Sequence, residues 1–195
     1  TTVSLLSPLL TLKISDAAYR WIIKEKENQV TYISATYKLL IRNCIMCAVI
    51  LLGINYFIPI WNCKYFIAIL IGDRILECIQ KLLRGLKNQK LFAFSGLFHT
   101  AVLVFLNIIK ICILHEGVTA LLQSSVISLY ITIVLLLVLE KRLRKVDLQQ
   151  NYKLQQKEML QYSAPLVPSA LSWWVMSASD RYVIRWMIGS AANGI

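Results

Sequence analysis

The sequence predicts an all-α, multi-pass membrane helix bundle, and three observations carry that prediction. Of 195 residues 57% are hydrophobic and only 16% charged, with a mean hydropathy of +0.61, whereas soluble domains average roughly 45–50% apolar and about 25% charged. The apolar residues fall in blocks, several of them uncharged over the length of a membrane span. Lysine and arginine are concentrated in alternate connections between those blocks.

A bilayer core of about 30 Å is crossed by about 20 predominantly apolar helical residues. The first expected span covers residues 1–23 and runs through Lys13 and Asp16. The second, 44–61, is free of Asp, Glu, Lys and Arg; the third, 65–80, has the length of a span but carries Asp73, Arg74 and Glu77 in its middle. Residues 91–109, 117–139 and 162–179 supply three more uncharged runs. Six helices are expected.

The connections set the orientation. Successive loops hold 5, 1, 4, 1 and 6 Lys and Arg residues, from Arg20–Arg42 through Lys64, Lys81–Lys90 and Lys110 to Lys141–Lys157. By the positive-inside rule the three basic connections face the cytoplasm and the two short ones face outside. The net charge of +11 is thus mostly topological, and a nucleic-acid partner is not expected, since such proteins carry their basic residues on a soluble surface. The longest connection, 140–161, has no Gly or Pro and six basic residues, which predicts a cytoplasmic helical linker against anionic headgroups. The five cysteines are an odd number placed in or beside apolar runs, so Cys44 and Cys47 read as small core residues rather than as a metal or disulfide pair. No signal peptide is evident at Thr1, and the abrupt ends suggest a piece of a longer protein.

Ionisable groups inside spans are costly and mark functional sites or internal pairs. Asp16 and Arg20 stand four apart and can pair along one helix face. Asp73 and Glu77 are also four apart, and the stripe continues through Gln80, Lys81 and Arg84. The two carboxylates could share a proton, or Arg74 could neutralise them; structural pairing is the preferred expectation. The sixth span is expected to bend at Pro165 and Pro168, carries Trp173 and Trp174 in its middle, and ends with Asp180, Arg181 and Arg185. Ser177, Arg181 and Arg185 share a face, which suits bidentate binding of a phosphate or pyrophosphate; snorkelling to the headgroups is the competing reading. His99, with Asn107 eight residues on, is expected to make an interhelical hydrogen bond. No phosphate loop, nucleophile elbow or metal quartet is present, and His115-Glu116 lacks a companion histidine. Neither an enzyme nor a cofactor or metal is expected.

Three segments carry a family resemblance: PLLTLKISDAAYRW (8–21), QKLLRGLKNQKLFAFSG (80–96) and PLVPSALSWWVMSASDRYVIRWMIGSAANGI (165–195). They resemble the polysaccharide flippases of the multidrug/oligosaccharidyl-lipid/polysaccharide exporter superfamily. On that register residues 1–139 are similar to five helices of the N-terminal lobe without its first helix, 140–161 to the basic linker, and 162–195 to the first helix of the second lobe. The resemblance implies two lobes that rock around a central cavity in the bacterial inner membrane. Its cargo would be an undecaprenyl-diphosphate-linked oligosaccharide for O-antigen, lipopolysaccharide or capsule export. It also implies membrane lipids, glycan polymerase and chain-length proteins as partners. Asp180, Arg181, Arg185 and Trp173 are the leading cavity candidates, with Asp16, Arg20, Asp73, Arg74 and Glu77 behind them. A cation-coupled drug antiporter of the same superfamily, using Asp73 or Glu77, and a membrane glycan polymerase or transferase are the alternatives.

Overall fold

The computed structural model describes residues 13–25, 27–57, 63–113, 117–147 and 151–187. Among them are seven α-helices: α1 (Ile14–Lys24), α2 (Gln29–Phe57), α3 (Cys63–Gly85), α4 (Gln89–Asn107), α5 (Val118–Leu139), α6 (Lys153–Ser163) and α7 (Leu166–Met187). A π-helical turn, Ile108–Ile113, prolongs α4, and a 3₁₀ turn, Lys141–Arg144, comes after α5. The fold is all-α, as expected from the blocks of apolar sequence. Among the described residues, three stretches are long and apolar enough to cross a membrane: Gln29–Gly53, Gln89–Ile113 and Thr119–Leu139.

The charged helices depart from the simple span count. Residues 1–12 of the first expected span lie outside the described residues, and α1 starts after Lys13, whose left-handed backbone (φ 52°) prevents one helix from running through it. Helix α1 is short and amphipathic, burying Ile14, Ala17, Ala18 and Ile22, a spacing of three and four residues that places them on one face. The expected basic loop 20–42 is also mostly helix. Helix α2 begins at Gln29 and runs for 29 residues, roughly 44 Å at 1.5 Å per residue. Its first turns persist because Tyr32, Ile33, Leu39 and Leu40 are buried, and that burial outweighs the charges of Lys38 and Arg42 on the same helix.

The main core lies at the basic end. It unites α1, the first half of α2, the last half of α3, the last turns of α5, and Leu143, Tyr152 and Met159 from the linker. A smaller cluster of Cys47, Leu51 and Leu70 joins α2 to α3 farther along. Small residues let the backbones approach. A Cβ on Gly85 would sit 3.1 Å from Ile22 Cγ2, and one on Gly72 would sit 3.5 Å from Leu129 and Tyr130. On α5 the buried Ser124, Ser128 and Thr132 repeat every four residues, a small-residue stripe that permits close packing. By contrast Ser95 is the one buried residue that α4 contributes among its described positions; Leu91 and Phe92 pack against the core, while Phe94, Leu97, Val104 and Phe105 are exposed.

The linker is folded rather than laid out flat. Leu143 is only 1% exposed, the Asp147 amide donates to Ser34 Oγ at 3.2 Å, and Tyr32 Oη donates to Glu158 Oε2 at 3.4 Å. Helix α6 therefore packs on α1 and α2, because Tyr152, Met159 and Ser163 give it a face to bury. The expected sixth span is divided: α6 ends at Ser163 and a turn at Ala164-Pro165 leads into α7. Pro165 stands in the turn and Pro168 in the first turn of α7, where a missing N–H breaks no helical hydrogen bond. The prolines start a helix instead of bending one.

Candidate functional site

Helix α3 presents Arg74, Glu77 and Lys81 at i, i+3 and i, i+4 spacings that bring the side chains within reach of each other, and Asp73 adjoins Arg74 in the chain. Arg74 Nη1 donates to Glu77 Oε2 at 2.5 Å and its Nη2 to Asp73 Oδ2. Lys81 Nζ lies 3.1 Å from Glu77 Oε1 and also reaches across to Asp16 Oδ1 on α1, which in turn is 3.7 Å from Lys13 Nζ. The order Asp73, Arg74, Glu77, Lys81, Asp16, Lys13 alternates in sign at each step. Three carboxylates and three cations cancel. Such a chain is a way to keep ionised groups in a half-buried place, since each charge meets an opposite one within the low-dielectric side of the helix pair.

The expected Asp16–Arg20 pair does not form. Close packing of α1 on α3 at Gly85 and Ile22 brings Lys81 to Asp16, while Arg20, one turn farther along α1, places its guanidinium 4.2 Å above the Tyr162 ring of α6. That is cation–π distance. Arg84 is similarly held over Tyr19 and Phe92, at 5.5 and 5.3 Å. Gln80 Nε2 donates to Ser95 Oγ at 3.1 Å and joins α3 to α4. Lys81 completes the network as the residue four positions beyond Glu77, and the i, i+4 spacing was the available signal. Lys13, three positions before Asp16, had the equivalent i, i+3 spacing.

A second polar group, which the sequence did not signal, lies at the opposite end of the bundle. Lys110 Nζ donates to Gln123 Oε1, and Gln123 Nε2 donates to Tyr65 Oη at 3.2 Å, linking the π turn, α5 and α3. His99 differs from expectation. Its Nδ1 is buried without a hydrogen-bond partner among the described residues, as is Asn107 Oδ1, so the expected interhelical hydrogen bond is not seen at that nitrogen. His115 and Glu116 lie outside the described residues. Between α2 and α3 an open groove of about 260 Å³ is lined by Leu40, Ile41, Cys44, Ile45, Ala48, Ile71 and Ile75. With no charged lining it can take an apolar chain but not a phosphate.

Helix α7 carries the remaining candidates. Trp173 is 69% exposed. Asp180, Arg181 and Arg185 are positions on the same helix, with Arg181 and Arg185 four apart on one face; their side chains lie outside the described residues. The structure thus brings Asp16, Asp73, Arg74 and Glu77 into one network, places Arg20 against α6, and carries the α7 set on a separate helix.

A family model described as polysaccharide biosynthesis protein matches residues 1–195. The chain belongs to that family. Membership makes it a membrane protein of polysaccharide biosynthesis, of the transporter kind, in accord with an all-helical fold holding three apolar, membrane-length helices. No curated protein and no solved structure matches it. The balanced α1–α3 network fastens two helices of this bundle to each other.

Proposed function

We propose that the chain is part of a flippase that moves undecaprenyl-diphosphate-linked oligosaccharide across the bacterial inner membrane, for O-antigen or capsule export. The observation that carries this reading is the family match over residues 1–195. The sequence supports it with Arg181 and Arg185, one turn apart on a helix whose other charged residue is Asp180, with Pro165 just before the helix and Pro168 in its first turn. Guanidinium groups so spaced suit a diphosphate, which accepts paired hydrogen bonds from each.

In this reading residues 1–139 belong to the first lobe, 140–161 connect the lobes, and α7 opens the second. The three basic connections face the cytoplasm. The protein acts without catalysis or a cofactor, and glycan polymerase and chain-length proteins are its working partners. Asp73 and Glu77 contribute structure. Each is ion-paired to Arg74, and Glu77 to Lys81 as well, so a cation-coupled antiporter built on these carboxylates would have to break those pairs in each cycle.

The test is surface glycan in cells that express the full-length protein at matched membrane abundance. Arg181→Ala abolishes export and Arg181→Lys restores it only in part, because an ammonium keeps the charge but loses the planar two-point contact. Full rescue by Lys would assign Arg181 to headgroup anchoring. Wild-type export by both Arg181→Ala and Arg185→Ala would remove the cationic site from the proposal.

A further inference from the structure

We propose that the α3–α4 connection and the turn after α5 form one docking site for the phosphate of an anionic phospholipid headgroup. Asn88 Nδ2 donates to Glu140 Oε2 at 2.9 Å, which clasps the two connections together although 52 positions separate these residues in sequence. Each clasp residue has a cation beside it in the chain, Lys87 next to Asn88 and Lys141 next to Glu140. Lys90, Arg142, Arg144 and Lys145 lie within a few residues, and all six cations are exposed.

The geometry of both connections is held by the fold. Asn88 Oδ1 accepts from the Leu91 amide at 3.3 Å and caps α4, Lys87 takes a left-handed conformation with φ 60°, and Leu143 is inserted into the core. With Leu143 inward, the basic side chains on either side of it in the 3₁₀ turn project outward. The acid at this place, Glu140, is occupied by Asn88 and by the Arg142 amide at 3.4 Å.

Location selects the ligand. Lys87 and Lys90 flank the start of the Gln89–Ile113 apolar stretch, and Lys141 to Lys145 come after the end of Thr119–Leu139. When those stretches span a bilayer, both connections stand at one headgroup layer, where basic residues attract anionic lipid. The exposed apolar surface of α4, including Leu97 and Phe94, leaves room beside them for acyl chains. The inference rests on the membrane reading of these helices and is independent of which glycan is exported.

The experiment measures lipid retained by the full-length protein in mixed micelles of phosphatidylglycerol and phosphatidylcholine, by native mass spectrometry. The parent protein retains phosphatidylglycerol preferentially, and Arg142→Gln or Arg144→Gln lowers its affinity roughly fivefold each with phosphatidylcholine unchanged. Lys64→Gln, at the other end of the bundle, leaves the preference intact. Glu140→Ala distinguishes a built site from bulk charge. A clasped site loses phosphatidylglycerol affinity when the acceptor for Asn88 is removed, whereas a diffuse positive patch gains it because an acid has gone. Glu140→Gln keeps an acceptor for Asn88 and retains binding, which separates loss of the clasp from misfolding. Unchanged or stronger binding by Glu140→Ala overturns the proposal, and so does displacement of the lipid by soluble glycerol phosphate, which would make the site one for a free anion.

Discussion

Asp16 and Lys81 stand 65 positions apart in the chain and form the ion pair that fastens α1 to α3. Lys81 also contacts Glu77, while Asp16 retains Lys13 as a second partner. Removing the lysine therefore leaves two carboxylates short of a cation, and removing the aspartate leaves Lys81 still paired. Lys81→Met is expected to lower thermal stability more than Asp16→Asn. The coupling in a double-variant cycle is about 1 kcal/mol, the scale for partly exposed pairs. Additive losses in that cycle, measured by thermal unfolding of the purified protein, would mean the contact contributes nothing of its own.

Gly85 supports the same helix pair by leaving room. Its missing Cβ would lie 3.1 Å from Ile22 Cγ2 and 3.3 Å from Ile22 Cβ, so Gly85→Val forces α1 away from α3 and costs about 1–3 kcal/mol. Gly53→Ala, with open space around it inside α2, is the contrasting variant and raises stability by about 0.5–1 kcal/mol. Equal midpoints for the two variants would show that the close approach is unimportant.

Lys87 terminates α3 in the conformation that glycine adopts most readily. The Asn88 amide donates to Leu83 O at 3.0 Å and the Lys87 amide to Arg84 O at 3.1 Å, the hydrogen-bond pattern of a left-handed helix cap. Lys87→Gly is expected to raise stability by about 0.5–1 kcal/mol and Lys87→Val to lower it. Thermal unfolding in a zwitterionic detergent measures this without the lipid contribution, and a destabilised glycine variant would contradict the cap.

The basic-residue alternation gives a prediction on sidedness. In a cysteine-free background of the full-length protein, single cysteines at Asn62 and Gly117 react with an impermeant reagent from outside, and cysteines at Asn88 and Gln150 do not. The reverse pattern would invert the bundle and place the Lys87–Lys145 headgroup site in the other leaflet.

Composition and residue pattern alone establish the class of the protein: apolar blocks of membrane length cannot be solvated, and their backbone is satisfied internally by helices. They also place Arg74 three positions before Glu77 on one helix face, which makes structural pairing the preferred reading over a proton shared by Asp73 and Glu77. Local spacing contained Glu77 with Lys81 and Lys13 with Asp16 as well. Packing between helices settled the rest. Whether Asp16 would pair with Arg20 or with a residue 65 positions away depended on how closely α1 packs on α3, and that distance is set by Gly85 and Ile22, not by the charges. The same holds for the connections. Residues 29–42 read as a loop from their lysines and arginines, yet they are helical because one face is buried. The linker read as a surface helix, yet Leu143, Tyr152 and Met159 dock it on the core. Periodicity along one segment reports which residues share a face. Which faces meet is fixed by packing between segments far apart in the chain, where burial of apolar area outweighs local propensity.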